Sequence, residues 1–192
     1  SAFHGLCSDS MTRGPGWRFL DIGRRIERGL QILDFVSDIL VDGRTEILPQ
    51  LEAMLEIADS SMTYRYRYLT TLQLAPVLDL IIADETNPRS VAFQFATLAE
   101  HVRQLSTGRN PEVPNQEQQL VLEAQGGLRL TDVEALCEVG PNKQRQALQA
   151  FQKRVSHELM NLSDAIMHTY VTHTTPPQQL GGLPPELLED EL

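Results

Sequence analysis

From residue 16 to about residue 172 the apolar residues return every three or four positions, and no two segments alternate so as to pair as strands. A chain with that single periodicity can bury its apolar stripes only by laying helix against helix. The fold class expected is therefore all-α: an antiparallel bundle of about six to eight helices with no sheet, in one domain over 16–173. Residues 1–15 read as an irregular lead-in, and the Pro/Gly-rich acidic stretch 174–192 as a tail expected to be disordered.

Local signals divide the periodic region. A first helix is expected from about Gly16 to Leu40, stopped by Asp42-Gly43, and a second from Thr45 to Ala58, with Pro49 near its start. Residues 61–73 could alternate as a strand, but they have no partner and read better as a helix. A fourth helix starts near Pro76. For the next, Asn87 reads as N-cap and Pro88 as first helical residue, with an end near Leu105. A helix from Asn115 to Ala124 should end at Gly126-Gly127. Thr131 and Glu134 form the pattern of a capping box for a short helix, and the longest helix should run from Asn142 to about Thr172.

The first helix is unusual in its charges. On a 100° wheel Phe19, Ile22, Gly23, Ile26, Leu30, Leu33, Val36 and Leu40 fall on one core-facing arc. A second stripe carries Trp17, Asp21, Arg24 and Arg28, then continues as Ile32, Phe35 and Ile39, whose apolar character predicts a covering neighbour. Asp21 is spaced to pair with Arg24 and Arg25, whereas Glu27 on the opposite shoulder has only Arg24 within reach. Ions taken out of water cost several kcal/mol each unless paired, so the surplus guanidinium groups need carboxylates from elsewhere. Asp84 and Glu85 stand at a helix end where anions oppose the dipole, so an arginine from the first helix is expected to meet them there. Arg65, between Tyr64 and Tyr66, adds another planar cation. Two readings of this set stay open. It is either an ion-pair network that fixes helix register or a pocket in which Arg24, Arg25 and Arg28 hold a ligand carboxylate or phosphate.

Composition closes off other classes. The 26 acidic and 16 basic residues give a net charge of −10, against a partner held by phosphate contacts such as nucleic acid. No apolar run reaches the roughly 18 residues of a membrane span, and no leader pattern is present, so a cytoplasmic protein is expected. The Ser-Ala start suggests a tag scar or an excised fragment. Cys7 and Cys137 lie far apart in no metal spacing, and read as free thiols; Cys7 near His4 is weak evidence for a nucleophile. His157-Glu158 opens a HExxH pattern that fails at Asn161, and the stripe His157, Asn161, Asp164, His168 lies opposite the core face of its helix. Gly14-Pro15-Gly16 is no phosphate loop, and neither Ser60 nor Ser61 has an adjacent His. LEAMLEI at 51–57 is amphipathic core with an acidic polar face. No metal site and no cofactor are expected.

Taken together, MTRGPGWRFLDIGRRIERGLQ, MTYRYRYL at 62–69, the block at 78–105 and LSDAIMHTYVTH at 162–173 resemble the alpha-E domain family, all-helical bacterial domains named for a Glu-Arg motif. Here that pair would be Glu27-Arg28, and the resemblance covers about residues 10–173. Family members usually carry an earlier half with another such helix, which implies that this chain is the C-terminal portion of a longer protein. The resemblance also implies a setting: fusion to, or gene proximity with, circularly permuted ATP-grasp and transglutaminase-like proteins, hence amide-bond chemistry on peptides. It carries no established catalytic residues.

The function expected is a non-catalytic accessory domain binding a peptide or its partner enzyme. Arg24, Arg25 and Arg28 would hold the anion, Asp21, Glu27, Asp84 and Glu85 would orient them, and Asn87 would cap the adjoining helix. An enzyme using Glu27 or Glu85 as general base beside an arginine clamp is the alternative, and needs an upshifted carboxyl in an open cleft. A purely structural spacer is the third, and predicts no open pocket beside the first helix.

Overall fold

The computed structural model describes residues 14–43, 46–69, 71–106 and 114–170. Eight α-helices occur among them: α1 (Pro15–Leu40), α2 (Ile47–Ile57), α3 (Ser61–Tyr68), α4 (Leu74–Leu78), α5 (Val91–Leu105), α6 (Gln116–Arg129), α7 (Val133–Cys137) and α8 (Gln146–Tyr170). A five-residue π turn, Asp79–Ala83, extends α4. β pairing among the described residues amounts to one isolated bridge between Asp42 and Gln144, so the all-α expectation holds.

The four long helices close into a ring in which α1 touches α5 and α8, and α6 touches the same two from the other side. Their directions follow from which residues meet. Along α1, Phe19 stacks with Tyr170, Gly29 abuts Leu159 and Asp34 bonds Gln152, so α8 runs antiparallel. Asp21 meets His101 and Arg25 meets Gln94, which makes α5 antiparallel to α1 as well. Glu117 reaches Thr169 and Gly127 reaches Arg154 on the opposite side of the ring. The core between them is apolar: Leu33, Val36, Phe95, Leu98, Val155 and Leu159 are fully buried. Outside this ring α2 packs on α1, α3 and α4 pack on α2, and α7 rests on α8 and α4.

Helix ends depart from the local signals in instructive ways. Asn87-Pro88 does not start α5; Ser90 does, its hydroxyl accepting the Phe93 amide. Asn87 is buried instead, its amide donating to the Leu80 carbonyl at 2.9 Å and to Ser60 at 3.4 Å. Its Oδ1 accepts the Arg89 amide at 3.1 Å, a local turn before the helix, while its amide group satisfies a carbonyl near the end of the preceding helical segment. α6 runs through Gly126-Gly127, because Gly127 brings α6 close to Arg154 of α8 and tertiary packing outweighs the cost of glycine. Asp132, not Thr131, caps α7, accepting from the amides of Glu134 and Ala135.

α8 begins at Gln146 rather than Asn142, because Arg145 is pulled inward. Its guanidinium is buried, donating to the Leu40 carbonyl at 2.6 Å and to the Cys137 carbonyl at 3.2 Å, so one side chain caps the C-termini of α1 and α7. Cys137 is free and half-buried; burial pushes its thiol up to about 11. Cys7, His4 and the tail 174–192 lie outside the described residues.

Candidate functional site

The N-terminal half of α1 carries its charges into two different surroundings. Asp21 faces the ring interior and is 7% exposed. Its Oδ2 takes the Arg25 Nε at 3.2 Å and lies 2.8 Å from His101 Nε2, on α5. The His101 hydrogen bond holds the Asp21 carboxyl below its usual range; burial opposes that shift and the charge of Arg25 reinforces it. Arg25 reaches on to Gln94 Oε1 at 3.3 Å and lies over the Phe93 ring, while Gln94 is anchored through its amide to the carbonyls of Pro88 and Ser90. The edge of Trp17 closes on His101. This part is the interhelical ion-pair network that the spacing of α1 anticipates. His101, its central base, gave no sequence signal beyond sitting on the buried face of α5.

Arg24 and Arg28 belong to neither this network nor any other. Among the described residues neither guanidinium has a carboxylate or a hydrogen-bond acceptor. Arg28 borders an open cleft of about 220 Å³ beside α1. Its floor comes from Ile32 and Phe35 of α1, Met54 and Ile57 of α2, and Ile81 of the π turn; Gln31 and Arg89 complete the lip. Partial desolvation, then the nearby cations Arg89, Arg25 and Arg24, lower the pKa of Arg28, with Asp21 opposing. Of the apolar continuation of the stripe, Ile32 and Ile39 are partly buried against the core, whereas Phe35 is 42% exposed and lines the cleft with Ile57 of α2, itself 51% exposed. Arg89 is half-engaged, bonding the exposed Asp59 at 2.8 Å.

The acidic pair after the π turn does not serve α1. Asp84 is buried and pairs with Arg67 of α3, while its other oxygen takes the amide and hydroxyl of Thr86 at 2.9 and 2.7 Å. Burial would raise its pKa, but the Thr86 bonds and Arg67 together bring it below the ordinary carboxylate range. Glu85 is held by both nitrogens of the Arg129 fork, at 2.6 and 3.0 Å, and that bond lowers its pKa too. The compensation at this helix end therefore comes from Arg67 of α3 and Arg129 of α6 rather than from α1. Glu85 is a paired carboxylate with a lowered pKa, the opposite of what a general base requires. Glu27 is exposed, with a single long bond of 3.5 Å from Gln31. Arg65 is exposed and borders a separate pocket with Glu52, Glu56 and Tyr64. Of the nine candidate residues, Asp21 and Arg25 meet in one network, Arg28 borders the cleft, and Arg24 lies near enough to Arg28 to act on its charge. Asp84, Glu85 and Asn87 serve the structure of the α4–α5 corner.

On α8, His157 bonds only Asn161, at 3.1 Å, while Asp164 and His168 line a shallow depression facing α6. Among the described residues no group of three His, Cys, Asp or Glu side chains is disposed to hold a metal ion, and no helix is long and apolar enough to cross a membrane.

Comparison with known proteins adds an identity to this geometry. The chain is 29% identical over 180 residues to the uncharacterized protein Rv2567 of Mycobacterium tuberculosis and to the uncharacterized protein Mb2597 of Mycobacterium bovis. Those 180 residues are 93% of this chain but 20% of each relative, so the chain spans about a fifth of their length. No solved structure matches it. The family described as a predicted alpha-helical domain with a conserved ER motif matches residues 1–171, and the chain belongs to this Alpha-E family.

Proposed function

We propose that this domain is a non-catalytic binding module that recognises an anionic group on a peptide or partner protein through Arg28, with Arg24 and Arg89 beside it. One observation carries the reading. In a chain with ten more acidic than basic residues, Arg28 at the lip of the cleft is left without a carboxylate, while Asp21, Asp84 and Glu85 are each paired with another arginine. Mutual repulsion among these cations costs stability, and an arriving carboxylate relieves it. A pure spacer has no need of an open cleft with a cationic lip. An enzyme based on Glu85 would have to break the Arg129 pair first.

The partner system belongs to the same proposal: a bacterial, cytoplasmic, peptide-modifying system with a circularly permuted ATP-grasp or transglutaminase-like enzyme. Membership of the Alpha-E family supports it, through the associations its resemblance implies. So does the greater length of the relatives, which leaves room for other activities on one chain. The test is a calorimetric and thermal-shift titration of the chain and its Arg28→Ala variant with acidic peptides, phosphate and ATP. Arg28 is exposed and makes no bond, so the variant should melt within a few degrees of the parent while losing about tenfold or more in affinity for the anionic ligand. Equal binding by both proteins, or a collapse of the fold, would refute the reading.

A further inference from the structure

Resting on that reading, the size and lining of the cleft specify its ligand further. Small-molecule sites run from about 300 to 1,000 Å³. At about 220 Å³ this cleft is too small for a nucleotide, and suits a single apolar side chain. Its floor is apolar on all sides, from Ile32, Phe35, Met54, Ile57 and Ile81, and no carboxylate lines it. The cationic lip is one-sided, with Arg28 unengaged and Arg89 held by a single exposed Asp59. A ligand that uses both features must carry an anion next to an apolar side chain, close enough for one to touch the lip while the other fills the floor.

Within a polypeptide only one position does this with a single residue. An internal Asp or Glu places its charge at the tip of the side chain that would have to enter the apolar floor, at a desolvation cost of several kcal/mol. A C-terminal Leu, Ile, Met or Phe places its α-carboxylate and its apolar side chain on the same carbon. The planar fork of an arginine matches that carboxylate with two parallel hydrogen bonds. Gln31, whose amide is held only by the 3.5 Å bond to Glu27, stands on the same lip to meet the last peptide group. We propose that the cleft between α1 and α2 captures the free C-terminus of a polypeptide ending in an apolar residue, with its carboxylate on Arg28 and its last side chain between Phe35 and Ile57.

The experiment is fluorescence anisotropy on the 192-residue chain with an N-terminally fluorescein-labelled hexapeptide ending in Ala-Leu. Its arms are the free acid, the C-terminal amide, the same peptide ending in Ala-Lys, and decanoate as competitor. Each is repeated with Arg28→Ala and with Ile57→Asp, two exposed positions whose folding is checked by far-UV circular dichroism melts. We expect the free acid to bind, and amidation, the Lys terminus and either substitution to weaken it about tenfold or more. Binding of the amide within twofold of the acid overturns the C-terminal assignment, and the anion-binding reading is then decided by the separate titration with acidic peptides and phosphate. Decanoate that displaces the peptide at equal concentration overturns the assignment to a polypeptide. Failure of every peptide to bind overturns both readings.

Discussion

Asp21 shows what a single buried carboxylate does here. It receives one bond along its own helix, from Arg25, and one across the ring, from His101, and is itself nearly excluded from water. Its folded pKa lies below the unfolded value of about 3.9, chiefly because of the His101 bond. A depressed carboxyl contributes stability that is complete above its unfolded value and is lost as pH falls through the folded one. Urea denaturation should therefore show stability flat from neutrality down to about pH 4 and falling below it. Asp21→Asn should cost about 3–5 kcal/mol at pH 7, because the buried His101 and the partly buried Arg25 lose their shared carboxylate, and should make the acid limb shallower, the remainder coming from Asp84 and Glu85. A cost under about 1 kcal/mol would mean that water replaces the carboxylate and that the network is not structural. The spacing of α1 made half of this legible: Asp21 to Arg25 is one turn, and its position at the core border demanded a partner. The other half comes from a residue 80 positions away, His101, and no periodicity ties two such positions together. For the same reason Asp84 and Glu85 announced a need for arginines without saying which. Arg67 and Arg129 supply them from helices whose approach is set by packing.

At the level of elements, two glycines of α1 differ in their surroundings and make a matched pair. A methyl group at Gly29 would come within 2.9 Å of Leu159 Cδ1, and Leu159 is fully buried in the α1–α8 seam; at Gly23 it would meet nothing within 4 Å. Glycine inside a helix costs about 1 kcal/mol relative to alanine, and overpacking a close seam costs about 1–3 kcal/mol. Gly23→Ala should thus raise the melting temperature, by up to about 1 kcal/mol of stability. Gly29→Ala should lower it, since the fixed Leu159 cancels the helix gain and more. Thermal melts of the two variants decide the point: stabilisation by both would show that Leu159 moves aside freely. At 100° per residue Gly29 falls on the same core arc as Ile22 and Val36, but glycine carries no hydrophobic signal of its own, so the sequence does not mark it as the point of closest approach. Helix existence was legible throughout, since each stripe is long. Helix ends were less so. Asn87-Pro88 has the form of a helix start, yet Asn87 is taken by the Leu80 carbonyl of the preceding segment, and Arg145 is drawn in from what reads as a helix to cap two others.

On the scale of the molecule, the cationic lip sits on a body whose net charge is −10, and ionic strength separates the two. At about 0.01 M salt the screening length is about 30 Å, so an approaching anion feels the whole chain and is repelled. At physiological salt it is about 8 Å, which leaves Arg28 and its neighbouring cations in view and hides most of the acidic surface. Near 1 M it is about 3 Å, and the attraction of the lip is itself cut back. The association rate constant for an acidic peptide should therefore rise from low to physiological salt and fall again towards 1 M. The dissociation rate should increase steadily, because contact with Arg28 is weakened at every step. Stopped-flow fluorescence across that range measures both constants. Replacing Arg28 by Ala should abolish the descending limb of association and keep the ascending one, since the repulsion comes from the body and the attraction from the lip. A monotonic decline in the parent chain would show that the field at the cleft is set by its own arginines at all distances, and that the acidity of the molecule is turned elsewhere.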